Sequence, residues 1–282
     1  MAETLPTEQS LRLAEVARRV ADAVPEDVAE EIVLTGSVSR GVADGVSDIE
    51  MLLVTPQPLS LDECFRLSSA AGLERLGTWG LQGTPSHKVS GDVDDVPLEL
   101  IWWPRAFAEE QVDALFTGEP TGTGDALAHG MSLRTCGLLE RWQARLADYP
   151  EELASQRIDS AALTWGGFAA AGLLTIARPT ERVSLLERML DDAQRVLKIV
   201  YAMNRVWPPT TKRLAARLEP LAIKPERTAE RIEAALMQCD LLAMTELQLE
   251  TVQLAPDTPN VVRARGWLAE GARLLKEQPS RA

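Results

Sequence analysis

The sequence predicts an α+β fold in two parts: a domain built on a β-sheet over residues 1–120, then an all-α domain over residues 125–282. Three observations predict it. The strand-like runs all fall before residue 105, a segment with three glycines and a proline crosses residues 118–124, and almost every stretch after it carries helical spacing.

In order along the chain, residues 7–24 place Leu11, Val16, Val20 and Val24 at helical spacing. Residues 31–35 read as a short strand that delivers Gly36 and Ser37 into a turn. Residues 48–55 read as a second strand, stopped by Pro56 and Pro58. A helix is expected over 61–76, with Asp62 and Glu63 at the positive end of its dipole. One or two strands are expected over 79–103, around a turn at 91–97, and a helix over 104–116. In the second part, helices are expected over 133–147, 160–177, 184–206, 210–221, 225–238 and 261–276. The uncharged run 161–177 approaches the length of a membrane span. Its richness in Ala and Gly, with amphipathic helices on both sides, makes it the expected central helix of a bundle.

Apolar residues make up 45% of the 282-residue chain, enough for a packed core, and the net charge is −13. An acidic surface argues against nucleic acid, whose phosphates need basic groups, and leaves room for a small cationic ligand. Cys64, Cys136 and Cys239 lack the spacing of a metal or disulfide framework, so three buried, reduced thiols in a cytoplasmic protein are expected. The first eight residues lack the basic segment of a signal peptide, and no membrane association is expected.

The chemistry concentrates in residues 34–54. Gly36 and Ser37 are followed by ten residues and then by Asp48, Ile49 and Glu50, with apolar residues on both flanks. Carboxylates at i and i+2 on a strand face the same way, and a glycine–serine turn offers amides that a phosphate can approach closely. Asp-x-Glu alone is common on solvated strands. The nearby turn and the alternation of Ile49 with Met51 make it a metal-binding pattern instead. Glu99 is the one acid in an apolar strand, 97–102, where burial is costly unless the charge is paired or binds a metal.

This segment resembles the signature of the DNA polymerase beta-like nucleotidyltransferase superfamily: apolar residue, Gly, Ser, spacer, Asp, apolar residue, acid, apolar residue. The whole chain is similar to its small bacterial two-domain branch, which includes aminoglycoside and lincosamide adenylyltransferases. Weaker likeness runs through residues 96–103 and 197–209. The resemblance implies a small mixed sheet flanked by helices, followed by a helical bundle. It implies two Mg²⁺ ions held by Asp48, Glu50 and Glu99, with ATP or another nucleoside triphosphate as donor. Ser37 and the amides around Gly36 would take the phosphates. Arg40 reads equally well as a phosphate partner or a solvated turn charge. Lys88 is a candidate for the triphosphate or for lining the cleft. In the helical part, Lys198 and Lys212 are candidates for the triphosphate. Asp191 and Asp192 are candidates for a cationic, hydroxylated acceptor or for an alternative base, a role that Glu99 also invites. The implied activity is transfer of a nucleoside monophosphate to a small molecule, with pyrophosphate released. Modification of a protein side chain and a non-catalytic binding module are the competing readings, and some relatives complete their site across a homodimer.

Overall fold

The computed structural model describes residues 5–78, 83–118, 121–166 and 182–277. It divides into two compact units between Asp148 and Tyr149. The glycine-rich segment at 118–124 is therefore not where they part. It leads into a helix and a strand that belong to the first unit.

In the first unit, six described strands form one mixed sheet: β1 (Glu31–Thr35), β2 (Ile49–Thr55), β3 (Glu74–Thr78), β4 (His87–Val93), β5 (Val96–Pro104) and β6 (Met131–Arg134), in the order β3-β4-β5-β2-β1-β6. Only the β2–β5 pair is parallel among them. The pleat gives the sheet two different faces. Ile32, Leu34, Ile49, Met51, Leu53, Val89, Leu98, Leu100 and Trp102 join one buried cluster with Leu13, Val20 and Leu67. Those last three come from α1 (Glu8–Ala23) and α3 (Leu61–Ala70), which cover this face. The opposite face carries Val33, Leu52 and Val54, buried outside that cluster, and Glu50 and Glu99, which are half-buried. There α4 (Arg105–Ala114) packs on β2 and β5, and α6 (Leu138–Ala147) packs on β1. A single helical turn, α2 (Gly36–Ser39), follows β1, and α5 (Gly122–Ala128) precedes β6.

Local signals set the ends of these elements. The Thr7 hydroxyl accepts from the Ser10 amide to start α1, and Ser60 with Glu63 makes a reciprocal capping box on α3. The helix expected over 61–76 stops at Ala70 because Gly72 takes a left-handed φ of 94°, and the chain then turns into β3. Asp94 and Asp95, with φ of 52° and 59°, form the two-residue turn that joins β4 to β5. The helix expected over 133–147 begins only at Leu138, since Leu133 and Arg134 belong to β6.

Among its described residues the second unit contains helices, turns and loops but no strand. It contains α7 (Glu151–Ala162), a 3₁₀ turn (Leu163–Gly166), α8 (Arg182–Met203), α9 (Leu214–Leu218), α10 (Thr228–Gln238), α11 (Leu241–Leu254) and α12 (Pro259–Glu277). Trp165, Met189, Val196, Val200, Met244, Leu247, Val261 and Leu268 are among the buried residues of its core. Arg157 is buried against Tyr149 and Trp207, and its guanidinium donates to the Tyr149 hydroxyl at 2.6 Å. The expected helix 160–177 is described only as far as Gly166. No helix among the described residues is long and apolar enough to cross a membrane.

Candidate active site

The register of the parallel β2–β5 pair puts Glu50 directly beside Glu99. Neighbouring strands lie about 4.8 Å apart, so the two acids stand side by side on the half-covered face of the sheet. On the far side of β5, antiparallel β4 pairs Ser90 with Glu99 and Lys88 with Ile101. Lys88 is thus diagonal to Glu99 on the same face, and its Nζ lies 3.4 Å from the Glu99 Oε2. Lys88 is 29% exposed and Glu99 13%, so water only partly screens the pair.

The glycine–serine turn meets Glu50 from the other side. Thr35 is the register partner of Glu50, and its hydroxyl donates to the Glu50 carbonyl at 3.3 Å. Gly36 follows with φ of 72°, and a β-carbon there would overlap the Glu50 Oε2. Glycine is thus required by backbone conformation and by the carboxylate lying against it. Asp48 precedes β2 and is exposed. Ser37 is half-buried within α2, and its carbonyl accepts from the Val42 amide.

The structure brings Gly36, Glu50, Glu99 and Lys88 together. Among the described residues, no three His, Cys, Asp or Glu side chains converge as a ready-made metal cluster. The donor chemistry still suits a hard divalent cation. Mg²⁺ keeps several waters and needs only one or two carboxylates beside the phosphates of a substrate.

Arg40 is not a solvated turn charge. It is buried and donates to the Asp125 Oδ2 at 2.5 Å and to the Asp125 carbonyl at 3.0 Å. Burial forces this pairing, since an isolated guanidinium could not leave water. A phosphate would have to compete with Asp125, which also meets the His129 Nδ1 at 3.4 Å.

The candidates in the helical unit separate in the same way. Asp192 is fully buried, accepts from the Trp165 Nε1 at 2.9 Å, and pairs with Arg188 at 3.2 Å. Burial raises its pKa, opposed by Arg188 and the Trp165 hydrogen bond. The reading of Asp192 as a contact for a soluble cation is corrected by this burial. Asp191 lies nearer the surface, paired with Arg195 at 2.7 Å. Lys198 is half-buried on α8, and Lys212 is exposed before α9. Asn204, on the same spiral as Lys198, exchanges hydrogen bonds with the Ile223 backbone in both directions.

Two features escaped the sequence reading. Glu31 is fully buried and accepts from the Ser132 and Thr135 hydroxyls and from the amides of Cys136 and Leu138, so it anchors the start of α6. The Lys88–Glu99 pair depends on the β4–β5 register, which the two aspartates of the turn announce only once both are known to be left-handed. The thiols also differ from expectation: Cys64 is buried and pushed up to about 12 by desolvation, whereas Cys136 is exposed and Cys239 half-buried.

Neither a family model nor a curated protein sequence matches the chain. Among solved structures, a nucleotidyltransferase-like protein from Exiguobacterium sibiricum 255-15 is similar at 10% identity with a TM-score of 0.39, over 95% of this chain and 78% of that one. Likeness at this level carries no functional argument for this chain.

Proposed function

We propose that the chain is a metal-dependent nucleotidyltransferase that moves a nucleoside monophosphate, AMP in the first instance, onto a hydroxyl of a small cationic acceptor of the aminoglycoside or lincosamide kind. The observation that carries this reading is the register of Glu50 beside Glu99, with the Glu50 carboxylate lying against Gly36. Two like charges side by side on adjacent strands oppose folding, and a site for a divalent cation gives them a use. Asp48, Glu50 and Glu99 would hold Mg²⁺, which when bound neutralises phosphate charge and acts as a Lewis acid at the α-phosphate. Ser37 and the amides around Gly36 would take the outer phosphates. Glu99 is the group in this unit best sited to take the proton of the acceptor hydroxyl. Positioning and charge neutralisation supply most of the rate in such a reaction.

The test is heat unfolding with Mg²⁺ and each nucleoside triphosphate, run beside an Asp48→Asn/Glu50→Gln variant. Binding to the native state at a hundredfold excess over Kd adds about 2.7 kcal/mol. A metal-dependent rise with one or more nucleotides, lost in the variant, supports the reading, and pyrophosphate release with hydroxylated amines then identifies the acceptor. No rise at millimolar nucleotide sinks it. A second reading is nucleotide binding without turnover. It predicts the thermal rise without pyrophosphate release for any acceptor.

A further inference from the structure

On the half-covered face of the sheet, Glu99 is flanked by Glu50 on β2 and by Lys88 on β4. The like charge stands directly beside it in register, and the opposite charge reaches it on the diagonal, 3.4 Å away. Lys88 therefore lies where its positive charge offsets the repulsion between two neighbouring carboxylates on one surface. A surface ion pair of no consequence would be well solvated on both sides, whereas this one is only 29% and 13% exposed.

We propose that Lys88 is the resident cation of this face: it balances Glu99 beside Glu50 while the site is unloaded, and a divalent ion must displace it to reach Glu99. This inference rests on the reading of Glu50 and Glu99 as metal ligands. It gives Lys88 a role in the unloaded protein that contact with a triphosphate does not require. The displaced ammonium stays on the same face of the sheet, free to turn toward incoming anionic charge. The lysine thereby sets the metal affinity of the unloaded site and biases it toward taking metal and nucleotide together.

The test measures Mn²⁺ binding to the nucleotide-free protein by calorimetry and by the loss of the free-ion paramagnetic resonance signal. Lys88→Met should bind Mn²⁺ roughly five- to tenfold more tightly than the unaltered chain. That is the order of factor a single charge at about 4 Å gives under water-like screening. Lys88→Arg, which keeps the charge, should stay near the starting affinity. In EDTA, Lys88→Met should unfold at a lower temperature than the unaltered chain, and that difference should vanish in a Glu99→Gln background. Should Lys88→Met not fold, Lys88→Gln keeps the polar reach, removes the charge and must change Mn²⁺ affinity in the same direction. Equal or weaker Mn²⁺ binding by the charge-removing variants, with the unaltered chain binding normally, overturns the inference and leaves the nucleotidyltransferase reading standing. No Mn²⁺ uptake by the unaltered chain, with or without nucleotide, overturns that reading and this inference together.

Discussion

The half-covered face of the sheet and the buried interior treat their carboxylates in opposite ways. Glu31 and Asp192 are fully buried, and each is enclosed by donors: two hydroxyls and two amides for Glu31, an indole and a guanidinium for Asp192. Asp125 is likewise buried, against Arg40. These acids are consumed by the fold, and their hydrogen bonds account for their positions. Glu50 and Glu99 keep partial access to water and stand next to each other, with the Lys88 ammonium 3.4 Å from the second. A sequence selected for stability alone would avoid like charges in register. Glu50 and Glu99 are therefore the acids of the sheet on which the proposed site turns.

The sharpest way to break this comparison is at Gly36. A β-carbon there meets both a left-handed φ of 72° and the Glu50 Oε2. Gly36→Ala should force the carboxylate aside and lose about a hundredfold or more of any transfer activity, the scale of removing one positioned charge-stabilising group. The stability cost should be smaller, about 1–2 kcal/mol for the strained backbone. Steady-state pyrophosphate release and urea unfolding on the same sample read the two effects separately. Full activity in a folded Gly36→Ala protein would detach the turn from the carboxylate pair.

Glu31 tests the other side. Glu31→Ala removes a fully buried acceptor and strands the amides of Cys136 and Leu138 with two hydroxyls. Buried donors without partners cost about 1–3 kcal/mol each when water cannot reach them. A loss of about 3 kcal/mol or more in urea unfolding is expected, with nucleotide binding retained by the protein that remains folded. A loss below about 1 kcal/mol would mean that water substitutes for the carboxylate and that Glu31 is not a structural acid.

How far the sequence foretold this contrast depended on the range of the interaction. β1, β2 and β5 were legible because their apolar runs are short and bounded by turn residues or proline. The Asp48–Glu50 pattern was legible because its spacing to Gly36 is local. The helix at 61–76 was overextended because Leu73 and Leu76 stand three residues apart as a helical pair would, while the deciding feature is one glycine's left-handed backbone. β6 was missed because four residues, Met131–Arg134, carry too little alternation, and the boundary placed at 118–124 followed from that miss. α11 was missed because it is buried on several sides, with Thr245, Gln248 and Thr251 among its inward residues, which blurs the stripe that reveals a surface helix. Glu31 and Arg40 were opaque because their partners lie 85–107 residues away, and Asp192 because the Trp165 indole that helps enclose it lies 27 residues away, while Arg188 stands one helical turn off; charge type was visible and burial was not.

The finest discrimination is expected at Asp192, where the charge and the hydrogen bond can be separated. Burial raises its pKa, so the folded state holds the proton more tightly than the unfolded chain does. Its ionised form therefore opposes folding above the folded pKa, and the penalty disappears below the ordinary carboxylate value of 3.8. Asp192→Asn keeps an oxygen for the Trp165 indole and removes the buried charge, while Arg188, 29% exposed, can rehydrate. At pH 7 the variant should be as stable as the unaltered chain or more stable by about 1 kcal/mol, because the desolvation penalty of the carboxylate goes with its charge and the partly exposed Arg188 is not left buried alone. That gain should shrink as pH falls through the folded pKa and be gone at the acid end of the range. Urea unfolding at a series of pH values checks both sign and slope. A variant less stable at pH 7 than at pH 4, relative to the unaltered chain, would make the Arg188–Asp192 pair a net source of stability. The helical unit would then share with the sheet a charge pair that holds its place by attraction rather than by enclosure.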